Sequence, residues 1–300
     1  MTRQGVSTFA VILLVTLVVP LAGWAQTLGE STPAPAGDAV AEGRRATERW
    51  ETTLDGRVGV PIGRLQVGES SASSGAGGGT PGTRLRLSDL GIHVSEAVEG
   101  SVAFHITPRD AVRASVLYYF LRGDSTPRQS VVYNGEEFKP GPLHANVDFS
   151  RLSLAYERTL LSSPAQRLVG SLGMTYVNFN PTLSGHGHSN SEDFYLQELP
   201  VPIAGLRWDH PLGDHWLVRL AVAGGGLPRV DSLRQEGGTV YLQQSHADAD
   251  AGLAYRWRSG IELELDYHFT YFFQHEQSRE DNNLFELIDN GIRGRLSVRF

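Results

Sequence analysis

One short stretch gathers the residue types of a nucleophilic catalytic site. Positions 185–193 read GHGHSNSED and include His186, His188, Ser189 and Asp193. A serine hydroxyl becomes a nucleophile when a neighbouring base accepts its proton and a third group orients that base, so these residue types suit acyl transfer. Two histidines and a carboxylate could also hold a metal ion. The glycines and serines favour a solvated loop instead. We therefore predict no catalytic residue, no metal, no cofactor and no enzymatic activity, with hydrolysis kept as an alternative.

A larger set of ionisable residues is spaced two apart toward the C terminus. Successive side chains of a β-strand point to opposite faces, so residues two apart share a face. A tight turn at 258–260 would place Arg256 opposite Glu262 and Asp250 opposite His268, and such pairs attract by about 0.2–1 kcal/mol. We predict an interior charge network formed by Arg113, His246, Asp248, Asp250, Arg256, Glu262, Glu264, Asp266, His268, Arg293, Arg295 and Arg299.

The opposite face of these segments is apolar. The last residues, GIRGRLSVRF, place Ile292, Leu296, Val298 and Phe300 on one face and three arginines on the other. The same period of two dominates from Trp50 onward, which indicates β-strands with one face in an apolar environment. We count ten strands, with eight or twelve as alternatives, and predict an all-β fold.

The connections between these strands alternate in length. Short connections are predicted at 107–111, 162–167, 209–214 and 258–260, and long ones near 63–97, 121–146, 180–198, 226–240 and 274–287. An even number of strands with alternately short and long connections is typical of a transmembrane antiparallel up-and-down β-barrel. This plan places the short turns and both chain termini in the periplasm.

A soluble β-sandwich would also alternate, and the aromatic residues distinguish the two folds. Under the barrel topology the tryptophans of the strands gather at the end that holds the termini, and a second aromatic set lies toward the other end. Membrane barrels carry such girdles because amphipathic rings settle at headgroup depth, whereas a sandwich core has no reason to sort its tryptophans. The predicted girdles are Trp50, Trp208, Trp216, Trp257 and Phe300 at one end and Phe120, Tyr176, Tyr271 and Phe273 at the other.

The N-terminal segment has the plan of a secretory signal peptide. One arginine precedes an apolar run from Phe9 to Val19, and Pro20 and small residues follow, so we predict cleavage after Ala25. The apolar run is shorter than the roughly 20 residues that a helix needs to span a bilayer. The predicted organisation is a signal peptide at 1–25, a flexible periplasmic tail at 26–48 and a barrel at 49–300.

Charge and cysteine content exclude two further classes of protein. The formal net charge is −7, and it becomes −8 without residues 1–25, which hold one arginine and no acidic residue. This acidic balance argues against a nucleic-acid partner. The chain has no cysteine, so we predict neither a lipoprotein anchor nor a disulfide framework.

The C terminus resembles the signal by which outer-membrane barrels are recognised by their assembly machinery. In that pattern a polar residue is followed two places on by glycine, and hydrophobic residues stand third-last and last. Arg293, Val298 and Phe300 fit, whereas Arg295 stands where glycine is expected.

A broader resemblance covers most of residues 50–300. A first strand, then GTRLRLSDLGI, then HITPRDAVRASVLYY resembles an uncharacterised family of bacterial outer-membrane barrel proteins, with the general plan of OmpA- and OmpW-like small barrels. The resemblance implies a location in the bacterial outer membrane. It also implies outer-membrane lipid, lipopolysaccharide and the barrel-assembly machinery as partners.

The predicted interior admits two functions. A barrel of about ten strands is close to the size that side chains fill, so the charges form either a rigid plug or the lining of a narrow channel for small polar solutes. One alternative is an enzyme that modifies lipid A or phospholipid, although His188 directly precedes Ser189 and the His-x-Ser-Asn spacing of lipid A deacylases is absent. Another is a surface receptor or adhesin that uses its loops, among them a predicted hairpin at 131–138 and the charged segment 275–286.

Overall fold

The computed structural model describes residues 49–68, 82–185, 187–192, 199–235, 239–278 and 281–300. The predicted signal peptide and tail lie outside these residues. In chain order the strands are β1 (Trp50–Gln66), β2 (Leu85–Arg86), β3 (Ser95–His105), β4 (Asp110–Phe120), β5 (Arg122–Ser125), β6 (Val131–Tyr133), β7 (Glu136–Phe138), β8 (Leu143–Asn146), β9 (Phe149–Ser162), β10 (Arg167–Phe179), β11 (Thr182–Gly185), β12 (His188–Ser191), β13 (Val201–Leu212), β14 (Trp216–Gln235), β15 (Thr239–Arg256), β16 (Ile261–Gln277) and β17 (Asn282–Arg299).

Ten of these strands form a closed antiparallel barrel. They are β1, β3, β4, β9, β10 and β13 to β17, and each pairs with the next barrel strand along the chain. The first strand also pairs with the last, from Glu51 opposite Arg299 to Gln66 opposite Leu284. Closure leaves no unpaired sheet edge around the barrel, which a bilayer would not tolerate. The predicted ten-stranded barrel is confirmed.

Both ends of the described barrel chain lie at one end of the barrel, which we call the terminus end. There the Trp50 and Phe300 backbones exchange two hydrogen bonds of 3.0 Å. The four short connections that were predicted also lie at this end. They comprise residues 106–109, 163–166, 213–215 and 257–260.

The opposite end, which we call the loop end, differs from the prediction in two places. The long connections expected near 226–240 and 274–287 are largely strand, because β14 pairs with β15 as far as Gln235 opposite Thr239 and β16 pairs with β17 as far as Gln277 opposite Asn282. β16 and β17 keep the period of two into their hairpin, whereas β14 pairs with β15 through two register shifts. Both pairs extend past the length that a bilayer requires.

The predicted hairpin at 131–138 forms, with Asn134 at φ 47° and Gly135 at φ 73°. Two consecutive positive φ angles are typical of the two-residue hairpin turn whose twist matches its strands, and Asn-Gly is the pair that adopts them most readily. This hairpin does not lengthen the barrel strands. Within the described residues, β6 and β7 pair with each other alone, and Tyr133 and Phe138 are buried.

A 3-10 turn at Leu87–Leu90 follows β2. In the part of the chain that the structure describes, no helix is long and apolar enough to cross a membrane.

Candidate functional site

The outer face of the barrel is apolar on all ten strands. Large side chains that a water-soluble protein would bury are exposed, including Leu172 at 67%, Leu265 at 63% and Ile62 at 60%. Inward side chains include buried charges such as Asp266 and Arg293. A closed sheet that is apolar outside and polar inside suits a lipid solvent, because every strand is paired on both sides. The chain is a transmembrane β-barrel.

Paired charges fill the barrel from the terminus end to its middle, and we call them the ionic layer. Arg219 on β14 lies 2.9 Å from Asp209 and 2.9 Å from Glu262, and it also contacts Glu264. A guanidinium carries five donors in a planar fork, so one arginine can contact three carboxylates at once. The layer also includes Glu51, Asp55, Arg57, Glu99, Arg113, Arg151, Glu157, Asp248, Asp250, Asp266, His268, Asp289, Arg293, Arg295 and Arg299.

One ion pair of this layer crosses the interior. Arg151 on β9 lies 3.0 Å from Asp248 on β15, and the Thr270 hydroxyl donates to Asp248 at 2.8 Å. Three strands separate β9 from β15 along the shorter path around the wall, so the two side chains meet through the lumen. The charges therefore brace distant parts of the wall against each other.

An aromatic layer lies between the ionic layer and the loop end, formed by Tyr119, Phe149, Phe179, Phe272 and Phe285. Phe149 on β9 stacks on Phe272 on β16 with ring centroids 5.5 Å apart, and Phe179 on β10 stacks on Phe285 on β17 at 4.5 Å. In a ring of ten strands, β9 and β16 are five positions apart, and so are β10 and β17. The rings therefore meet across the full diameter of the barrel.

The loop-end segments continue this apolar core. Leu87, Tyr133, Phe138 and Leu183 are buried in one cluster with the aromatic layer. The Tyr133 hydroxyl donates to the Pro181 carbonyl at 2.6 Å, and burial raises the pKa of this phenol well above its usual value. A folded apolar cap therefore covers the aromatic layer.

A four-stranded loop-end sheet, with strand order β12-β11-β8-β5, forms part of this cap. Its inner face is apolar, and Leu143, Ala145 and Leu183 are buried there. Its outer face carries polar residues that include the exposed His144 and Asp124. The sheet thus presents a polar surface above an apolar core.

Several residues of the predicted charge network lie near the terminus end. Arg256 is opposite Glu262 in the β15–β16 register, and the two side chains are 2.6 Å apart. Arg113 lies 2.7 Å from both Glu51 and Glu157. The structure therefore brings these predicted residues together with two carboxylates that the sequence analysis did not select.

Most of the remaining predicted residues lie deeper in the barrel, whereas Arg299 lies opposite Glu51 at the terminus end. Arg293 lies 3.0 Å from both Asp250 and Asp266, and the buried His246 lies beside Phe272 with ring centroids 4.8 Å apart. The other contacts pair Asp248 with Arg151, Glu264 with Arg219 and Arg295, and Arg299 with Glu51.

One predicted pair does not form. Asp250 and His268 are opposite each other in the register, but Asp250 binds Arg293, and the His268 ring nitrogen Nε2 lies 3.3 Å from Asp289 instead. Asp289 also accepts a hydrogen bond of 2.5 Å from the Ser95 hydroxyl. Long side chains reach diagonally past the directly opposite residue, so register alone does not assign partners.

Sequence reasoning missed the aromatic layer and half of the ionic layer. Phe272 follows the acidic residues of β16 at the same spacing of two, and Arg151 and Arg219 share the inward parity of their strands. That parity was the available signal. Aromatic residues such as Phe272 occupy the same face as the charged residues, so the same spacing marks both.

The histidine- and serine-rich stretch is only partly described. His186 and Asp193 lie outside the described residues, whereas His188 and Ser189 belong to β12. The Ser184 hydroxyl lies 2.8 Å from the Ser189 hydroxyl, and the His188 ring packs against Phe138.

The predicted girdle residues fall at the two ends of the barrel. Trp50 and Phe300 are paired at the terminus end, where Trp208 and Trp216 flank the β13–β14 turn and Trp257 opens the β15–β16 turn. Phe120, Tyr176, Tyr271 and Phe273 lie in the loop-end halves of β4, β10 and β16. Of the predicted assembly signal, Arg293 points inward, and Val298 and Phe300 lie at the end of the β1–β17 seam.

Comparisons with known proteins concern the fold. No protein-family model matches the chain, and no curated protein matches it. Among solved structures it is similar to the outer membrane protease OmpT of Escherichia coli, with 11% identity, 83% of this chain and 97% of that chain covered, and a TM-score of 0.48. It is also similar to the transport unit of the Escherichia coli autotransporter AIDA-I (12% identity, 97% of each chain, TM-score 0.41) and to the Pseudomonas putida toluene transporter TodX (13%, 85% and 91%, TM-score 0.31).

Proposed function

We propose that this protein is an outer-membrane barrel with a sealed lumen, which anchors the folded loop-end sheet at the cell surface. The observation that carries the proposal is the contact of aromatic rings across the barrel. Phe149 meets Phe272, and Phe179 meets Phe285, each pair joining strands on opposite sides of the wall. A path for solutes along the axis would have to separate both pairs.

The ionic layer supports the same function. A charged side chain in a confined interior is stable only while it is paired, and breaking a buried pair by removing one partner costs about 3–5 kcal/mol. Most carboxylates of the layer lie within 4 Å of an arginine, so an ion would gain little by displacing one. Of the two functions that the sequence admitted, this favours the structural plug over the narrow channel.

The orientation of the barrel belongs to the proposal. Short turns and both ends of the described barrel chain lie at the terminus end, and the larger loop structures lie at the other. In bacterial barrels the short turns are periplasmic and the long loops extracellular. The predicted tail at 26–48 would then lie in the periplasm.

Planar-bilayer recording of the refolded barrel tests the proposal. We expect no current steps from the wild type, and none from the double variant Arg256→Ala, Glu262→Ala, because the aromatic layer still closes the lumen. A steady, ion-selective wild-type current would overturn the proposal. Insertion into lipid is checked by flotation of the barrel refolded into lipid vesicles, and folding is checked by a gel shift on boiling.

A variant of the aromatic layer tests whether opening the lumen produces a current. Phe149→Ala with Phe179→Ala removes one ring from each cross-barrel pair, and we expect ion leakage through this variant. Tyr118→Ala with Phe120→Ala is the matched control, since these two rings also pack together, at 4.7 Å, but belong to the outer-face parity of β4. Equal leakage through both variants would mean that general loosening, not the aromatic layer, controls conductance.

A further inference from the structure

Four polar residues form a single row across the outer face of the loop-end sheet. The strand registers place Asp124 opposite His144, His144 opposite Ser184, and Ser184 opposite Ser189. Directly opposite residues on neighbouring antiparallel strands have Cβ atoms about 4.5–5.5 Å apart. The sheet therefore aligns a carboxylate, an imidazole and two hydroxyls, in that order.

The imidazole is oriented by the carboxylate. His144 Nδ1 lies 2.9 Å from an Asp124 carboxylate oxygen, and a carboxylate only accepts hydrogen bonds, so the proton of a neutral His144 resides on Nδ1. Nε2 is then the unprotonated nitrogen, and Ser184 is the residue on the strand at the other side of His144. In a serine catalytic triad a carboxylate, an imidazole and a hydroxyl follow one another in this same order.

A cleft adjoins the row. It has a volume of about 310 Å³ and is lined by Asp124, His144 and Ser184 together with Ser125, Pro142 and Leu143. The Ser125 hydroxyl is buried and has no hydrogen-bond partner among the described residues. The cleft opens beside the aligned side chains, and Pro142 and Leu143 give it an apolar wall.

We propose that Ser184 is a nucleophile for short-chain carboxylic esters, with His144 as its general base and Asp124 as the residue that positions His144. The Ser184 hydroxyl lies against Ser189 in this structure, and a change of the Ser184 χ1 angle to another staggered rotamer turns it toward His144 on the other neighbouring strand. This site lies on the sheet that the barrel holds and does not depend on whether the lumen is sealed.

The reaction balances with water as the second substrate. Ser184 Oγ forms a bond to the ester carbonyl carbon while its proton passes to Nε2, and the bond to the leaving alkoxide breaks as Nε2 returns that proton to the alcohol oxygen. Water then attacks the acyl-serine, gives one proton to Nε2, and releases the carboxylic acid as that proton returns to Oγ. No oxidant, metal or further reactant is needed.

The test uses the full barrel refolded in detergent, with folding verified by its gel shift on boiling. The probes are a fluorophosphonate, whose adduct is located by peptide mass spectrometry, and hydrolysis of p-nitrophenyl butyrate. We expect the adduct on Ser184. We expect His144→Ala to lower kcat/KM by roughly 10²–10⁴-fold, the usual contribution of a general base. Asp124→Asn should lower it by at least about tenfold through the wrong tautomer.

Ser191→Ala is the matched control, because Ser191 lies on β12 in the next row, opposite Thr182; it should label and hydrolyse like the wild type. A folded barrel in which Ser184 stays unlabelled overturns the inference. So does an adduct on Ser189 in place of Ser184, or a His144→Ala variant that reacts as fast as the wild type.

Discussion

Phe179 and Phe285 stack with ring centroids 4.5 Å apart although their strands lie on opposite sides of the barrel. The contact is possible because both side chains point inward at the same level of the wall and no polar chain separates them. Phe149 and Phe272 repeat the arrangement at 5.5 Å. The interior of this barrel is therefore a packed apolar core at one level and an ion-pair network at another.

The aromatic layer should contribute strongly to stability. Phe149 is 4% exposed and contacts four other aromatic rings, so Phe149→Ala leaves a cavity and should lower the free energy of unfolding by about 3–5 kcal/mol. Urea unfolding in detergent micelles, followed by tryptophan fluorescence, measures the change. Phe269→Ala, on the outer face, is the comparison and should cost less. Equal losses would show that the interior rings are not tightly packed.

The ionic layer should respond to the loss of its central arginine. Arg219→Met leaves Asp209, Glu262 and Glu264 without their shared partner, and removing one side of a buried ion pair costs about 3–5 kcal/mol. Arg256→Met is the matched variant, since Arg256 is 46% exposed and its pair with Glu262 is partly solvated; exposed pairs contribute only about 0–1 kcal/mol. The same urea titration compares the two. A smaller loss for Arg219→Met than for Arg256→Met would contradict the assigned centre of the network.

The seam between the first and last strands depends on close backbone approach at Gly291. A Cβ atom there would lie 2.1 Å from the Val58 carbonyl oxygen and 2.5 Å from the Gly59 Cα, whereas one at Gly294 would meet nothing within 4 Å. Gly291→Ala should therefore reduce the folded fraction severalfold, and Gly294→Ala should fold like the wild type. The boiling-dependent gel shift after refolding quantifies both. Equal yields would mean that the seam relaxes to accept the methyl group.

The terminal aromatic residue should matter for assembly more than for stability. Phe300→Ala keeps both backbone hydrogen bonds to Trp50, so purified protein should refold like the wild type. If the side chain belongs to the assembly signal, the folded fraction in bacterial membranes should fall severalfold. Leu296→Ala, which removes a lipid-facing side chain outside the signal, is the control. Normal assembly of Phe300→Ala in cells would exclude a signalling role for this ring.

The strand plan of the barrel could be predicted because each residue's environment alternates. Lipid contacts one side of every strand, so the outer face can be identified from apolar residues such as Val58, Val60 and Ile62 even when the neighbouring strands are unknown. The tight turns could also be predicted, because each depends on a few consecutive residues. The turn at 257–260 sets Arg256 opposite Glu262. Side-chain partners could not be predicted even between adjacent strands, because diagonal reach decides whether His268 on β16 binds Asp250 on β15 or Asp289 on β17.

By itself the sequence determined the barrel: the period of two, the alternating connections and the sorted aromatic residues follow from how a strand meets lipid and water. Only the tertiary structure decided what the barrel contains. Closure of β1 on β17 brings Phe149 to Phe272 and Arg151 to Asp248, and the folding of the loops aligns Asp124, His144 and Ser184. These contacts join residues from separate strands, and their distances are set by the curvature of the closed sheet, which no local pattern encodes.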